Sequence, residues 1–158
     1  MFLILLGSFG CKTKQTTVEN DPAAMDENTE LEFDYRRDMC FGHCPEYSMS
    51  LAKDGTLHLE GKKNIDYIGA YESKLKLEDK EAIAQIIMDI DLFSMESEYR
   101  SDITDKPSSF IHVKLNGREI SIDNKNRGAP AKLMSLENKI HRLIDNYTWT
   151  KVESTEQY

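Results

Sequence analysis

Residues 111–122 read I-H-V-K-L-N-G-R-E-I-S-I, and this stretch decides the fold. Ile111, Val113 and Leu115 alternate with polar residues into Asn116-Gly117, and Ile120 and Ile122 alternate out of it. A period of two marks a strand with one buried face. Asn-Gly is the dipeptide that best tolerates the two positive φ angles of a type I′ turn. A two-residue turn there sets Val113 opposite Ile120 and Ile111 opposite Ile122, all four on one face. Register and turn chemistry agree on an antiparallel hairpin whose apolar side needs a cover.

The same alternation recurs upstream. Leu31, Phe33 and Tyr35 make a first strand, Tyr47, Met49 and Leu51 a second, and Leu57, Leu59 and Gly61 a third. Between the last two lies Lys53-Asp54-Gly55. A two-residue turn would set Leu51 opposite His58 and throw the two apolar sets onto opposite faces. A three-residue loop with Gly55 at positive φ pairs Leu51 with Leu57 and Met49 with Leu59, so the three-residue loop is expected. A further strand is expected over about 67–77. Ile83, Ile86, Ile87 and Ile90 form the stripe of a helix over about 79–92, and Leu133, Leu136, Ile140, Leu143 and Tyr147 form a second. Pro130 stands near the first turn of that second helix, where its missing N–H costs nothing. The expected class is α+β: an antiparallel sheet built from hairpins, with two α-helices packed on one face. Residues 94–109 show no period and read as a functional or mobile loop.

The flanks of this domain look different. The first ten residues, M-F-L-I-L-L-G-S-F-G, are uncharged and end at Cys11. An apolar run, small residues and then Cys is the pattern of a lipoprotein signal, in which a peptidase cuts before the Cys and the Cys takes up acyl chains. Residues 1–10 are therefore read as signal peptide and 11–30 as the lipidated Cys with a flexible tether. The tether has no period, and Lys12 and Lys14 against five acids leave residues 12–30 at −3. The single domain is placed at 31–150 and an unstructured tail at 151–158. The whole chain carries a formal charge of −8, which argues against nucleic acid as a partner, since phosphate recognition needs a basic face.

One segment is dense in chemistry: Cys40-Phe41-Gly42-His43-Cys44-Pro45-Glu46-Tyr47, between the first two strands. Three readings fit it. With Cys11 acylated, two of the three cysteines remain, and in an oxidising compartment Cys40 and Cys44 close a short structural disulfide. Reduced, Cys40, His43 and Cys44 offer two thiolates and an imidazole suited to copper or zinc. A redox-active pair is the third reading, but three residues separate the cysteines and no helix follows to lower a thiol pKa. Elsewhere the chain has no G-x-S-x-G, H-E-x-x-H, P-loop or dinucleotide fingerprint, so no catalytic residue is assigned.

The segment C-F-G-H-C-P-E-Y resembles the pattern Cys, aromatic, Gly, any residue, Cys, Pro, any residue, Tyr. That pattern belongs to an uncharacterised domain-of-unknown-function family of small exported bacterial proteins, many with lipoprotein signals. Asp54-Gly55, Gly61, Gly69, Tyr99 and the Asp105-x-Pro107 pair fit as well, so the resemblance spans about Phe33 to Tyr147. It implies an envelope location and a shared fold. The chain is accordingly expected to be a lipid-anchored binding or assembly module facing the periplasm or cell surface. Its partners would be the membrane, through the lipid on Cys11, and an envelope protein or cell-wall component. Phe41, Gly42, His43, Pro45, Tyr47, Tyr99, Asp105 and Pro107 are the candidate binding residues, and no cofactor is required. The alternative is a periplasmic copper- or zinc-binding protein.

Overall fold

A computed structural model describes residues 28–153. The signal peptide expected over 1–10, the lipidated Cys11 and most of the tether lie outside the described residues, as does most of the tail. Eight strands are seen: β1 (Leu31–Arg37), β2 (Glu46–Leu51), β3 (Thr56–Lys63), β4 (Gly69–Lys74), β5 (Glu98–Arg100), β6 (Ser109–Leu115), β7 (Arg118–Lys125) and β8 (Thr150–Lys151). The helices are α1 (Leu77–Asp89), α2 (Ala131–His141) and the single turn α3 (Leu143–Asn146). The strands form one sheet in the order β5-β7-β6-β1-β2-β3-β4-β8. All neighbours are antiparallel except β5 and β7, which run parallel.

Both hairpins take the registers that the apolar pattern demands. Val113 faces Ile120 and Ile111 faces Ile122 across Asn116 (φ 49°) and Gly117 (φ 79°). Met49 faces Leu59 and Leu51 faces Leu57 across a loop with Gly55 at φ 83°. β1 lies at the centre because it pairs on both sides: Phe33 faces Leu51 and Val113, and Tyr35 faces Met49 and Ile111. These side chains share one buried cluster with Ile83 and Ile87 of α1, Leu133, Leu136 and Ile140 of α2, and Leu143 and Ile144 of α3.

Three features differ from what the sequence pattern leads one to expect. The sheet is mostly rather than wholly antiparallel, because β5 arises inside the aperiodic 94–109 segment and pairs with β7 through Tyr99 and Asn124. Its three residues are too few to show a period. The second helix breaks after His141, giving α2 and α3. The first helix begins at Leu77 and ends at Asp89, ahead of Asp91 in the left-handed region. Contacts also run to residues 29 and 152 at the two ends of the described chain. Thr29 is buried, and Glu30 exchanges backbone and side-chain hydrogen bonds with Asn116 (2.9 Å each). At the other end Thr150 and Lys151 pair with β4, and Val152 N–H donates to the Ala70 carbonyl at 2.9 Å. The free edge of β4 draws the chain into the sheet.

Candidate functional site

The loop 38–45 leaves β1 after Arg37 and returns at Glu46. Because Arg37 pairs with Ser109, the segment 101–108 arrives at the same end of the sheet. Asp38 N–H donates to the Ser108 carbonyl at 2.9 Å and ties the two together. Cys40 and Cys44 are bonded, with an S–S distance of 1.97 Å and Cα atoms 5.6 Å apart. Gly42 N–H donates to the Cys40 carbonyl, and Asn64 Nδ2 donates to the Cys44 carbonyl from the β3–β4 connection. The loop is thus closed covalently and held at its base.

What this loop displays is apolar. Phe41 is 92% exposed, Met39 57%, and Ile103 on the neighbouring segment 53%. Gly42 and His43 are exposed beside Phe41, Pro45 is half-buried, and Asp105 is exposed. Pro107 is buried. Two of the candidate binding residues have other work. Tyr47 is fully buried, and Tyr99 packs against the core from β5 while its hydroxyl accepts from Glu96 N–H at 3.1 Å.

The thiols offer no ligands in this state, since each sulfur is bonded to the other. Among the described residues no group of three or more His, Cys, Asp and Glu is arranged to hold a metal. His58 and His112 stand on the side of the sheet away from the core, as their phase requires. His58 meets Glu72 at 3.0 Å and His112 meets Ser121 at 2.9 Å. On that side Ser48 and Ser50 border a hollow of about 390 Å³.

Beneath the loop lies a polar network that the sequence reading did not identify. Glu137 is buried, and its Oε1 accepts from Ser109 Oγ (2.7 Å) and Asn124 Nδ2 (3.0 Å). Asn124 in turn accepts from Ala129 N–H at 2.9 Å. The Tyr47 hydroxyl meets His141 Nδ1 at 2.9 Å, the two rings stacked with centroids 5.6 Å apart, and Tyr35 packs edge-on against Tyr47. Burial pushes both phenols well above the ordinary tyrosine range, helped at Tyr47 by Tyr35 and at Tyr35 by Glu137. Burial, with the Arg37 charge behind it, holds His141 below the usual histidine value. A signal for this network was present: Arg37, Ser109 and Asn124 each fall two residues from a buried strand position, and Glu137 falls four after Leu133. Polar residues in the buried phase of an apolar stripe must find partners inside.

A family model described as Domain of unknown function (DUF6438) matches residues 31–144. Comparison with curated proteins found no match.

Proposed function

This chain belongs to the DUF6438 family, and we propose that it is a lipid-anchored binding module of the cell envelope whose recognition surface is the disulfide end of the sheet. The observation that carries the reading is Phe41, 92% exposed on a loop closed by Cys40 and Cys44. A large aromatic side chain held in water on a constrained loop has little conformational entropy left to lose on docking, and buried aromatics dominate interface energetics. Met39, two residues before Phe41, and Ile103, on the segment that the Asp38–Ser108 bond ties to this loop, are exposed at the same end of the sheet. The partner offers an apolar pocket, on an envelope protein or on a cell-wall component.

In this reading Cys11 carries the lipid and the segment after it spaces the domain from the membrane. The two main helices cover one face of the sheet, as the shared cluster of Ile83, Ile87, Leu133 and Ile140 with Phe33 and Met49 suggests. Recognition is left to the loops at the sheet's end. A photoreactive benzoylphenylalanine at position 41, irradiated in cells, should give a discrete adduct that weakens in an Ile103→Ser background. The same probe at Lys53, in the β2–β3 turn at the opposite end, should give none. Equal adducts from both positions, or none from position 41, would sink the reading.

A further inference from the structure

Arg37 follows Tyr35 by two residues in β1, and the alternation places its side chain on the covered face. Its Nε is buried and, among the described residues, has no hydrogen-bond partner. Arg37, Arg127 and Lys106 take part in none of the ion pairs among the described residues. A buried charged donor without an acceptor costs more than an ordinary missing hydrogen bond, so such an atom marks where an acceptor belongs. Arg127 is exposed, holds a left-handed backbone (φ 55°), and its guanidinium donates to the Met134 sulfur, a weak acceptor, at 3.5 Å.

Arg37 and Arg127 line one cleft, with Ser108, Pro107 and Glu137 beside them. Its inner part has room for about 10 Å³, the space of one water-sized atom. Pro107 and Arg127 also border an outer hollow of about 290 Å³, which Lys106, Asp105 and Met134 complete. The Ser108 hydroxyl oxygen accepts from Asn126 N–H at 3.0 Å, which leaves its O–H free to donate.

We propose that this cleft binds a carboxylate, one oxygen meeting the Arg37 guanidinium in the inner space and the other meeting Arg127. The inner space admits a single oxygen, so the rest of the ligand lies in the outer hollow. Charge separates a carboxylate from a phosphate. Glu137 borders the cleft and Asp105 the outer hollow, so a singly charged carboxylate fits where a phosphate near −2 would be repelled. Pro107 and Met134 supply an apolar wall for the carbon chain that the carboxylate ends. The proposal deepens the reading of this end as the recognition surface: the partner presents a carboxylate close to the group that receives Phe41.

The test uses small probes, so that it can fail separately from partner capture. The full chain, labelled with ¹⁵N, is titrated with acetate, with inorganic phosphate, with a short apolar peptide bearing a free C-terminal carboxylate, and with the same peptide amidated. Acetate and the acid peptide should shift the Arg37 Nε–H resonance, with phosphate weaker than acetate and the amide silent. An amidated peptide carrying an internal Glu distinguishes a side-chain carboxylate from a chain terminus, and a response to either supports the site. Arg127→Gln, an exposed change that leaves the core alone, should weaken acetate by roughly tenfold. Lys53→Gln, at the opposite end of the sheet, should leave the acetate response unchanged. No Arg37 shift with any probe, unchanged affinity in Arg127→Gln, or phosphate binding tighter than acetate would overturn the assignment.

Discussion

Asp79 illustrates how single side chains join distant parts of this chain. It sits in the first turn of α1, meets Lys139 of α2 at 2.6 Å, and accepts from the Tyr147 hydroxyl at 2.7 Å. Tyr147 in turn accepts from Lys76 N–H at 3.0 Å. Burial pushes the Asp79 carboxyl up, but the Lys139 and Tyr147 hydrogen bonds outweigh it and hold the group below its ordinary value of 3.8. The depressed folded value means that this contribution is complete above the unfolded pKa and is lost as pH falls below about 4. Tyr147 behaves in the opposite sense. Burial and the Asp79 hydrogen bond raise it from 10.0 to about 12, so its share is complete below 10 and is lost as pH rises through 12. Asp79→Asn should cost about 1–2 kcal/mol at neutral pH and flatten the acid limb of stability below about pH 4. Urea unfolding at several pH values measures both, and an unchanged acid limb would show that other carboxylates carry it.

Among the elements, the disulfide loop has the sharpest division between shape and stability. The bond spans a sequence separation of four, so the chain entropy it removes from the unfolded state is at the low end for disulfides. The sheet beneath is held instead by the registers of β1, β2 and β6. The Cys40→Ser, Cys44→Ser double variant should therefore fold, with a loss of no more than about 2 kcal/mol, while amides of residues 41–45 exchange faster. Hydrogen exchange resolved by residue checks this. Slowed or unaltered exchange in the loop would show that Asn64 and the Asp38–Ser108 bond suffice to hold it. Gly61 contributes at the loop's other support: a Cβ there would overlap the Tyr67 carbonyl, so the backbone of the β3–β4 connection lies against β3 only because the residue is glycine.

For the molecule as a whole, the described domain has its two ends at sheet positions that differ in kind. Glu30 enters beside Asn116, at the end of the sheet away from the disulfide loop, since β1 runs from Leu31 at that end to Arg37 at the other. A tether rising from a lipid on Cys11 would then meet the domain at its base and leave Phe41 at the far end. Cys11→Ser should move the protein from the membrane fraction to the soluble envelope fraction and abolish incorporation of labelled fatty acid. An intact mass that retains Met1 to Gly10 would end the lipid-anchor reading.

The parts of this fold that the sequence determined are those set by neighbours along the chain. Asn116-Gly117 selects a two-residue turn because both φ angles are positive, and Gly55 selects the three-residue loop for the same reason. Given the turn, the period of two decides which side chains face the core, so β2 with β3 and β6 with β7 were legible with their registers, and β1 as a strand whose partners the tertiary structure supplied. The apolar stripes of α1 and α2 were legible by their period, and Cys40 with Cys44 by their short spacing across Gly42. The tertiary structure decided the rest. β5 and β8 are strands only because β7 and β4 present free edges to them. The start of α1 has no side-chain cap of its own, and its Lys76 N–H is satisfied by Tyr147, 71 residues away in sequence. Tyr47, a candidate binding residue by motif, is buried against His141. The cleft of Arg37 and Arg127 forms where β1 and the turn after β7 converge, and no local pattern joins those two positions. Turn geometry and side-chain period act over a few residues, whereas the pairing of edges and the partners of buried polar groups depend on which segments the whole sheet brings together.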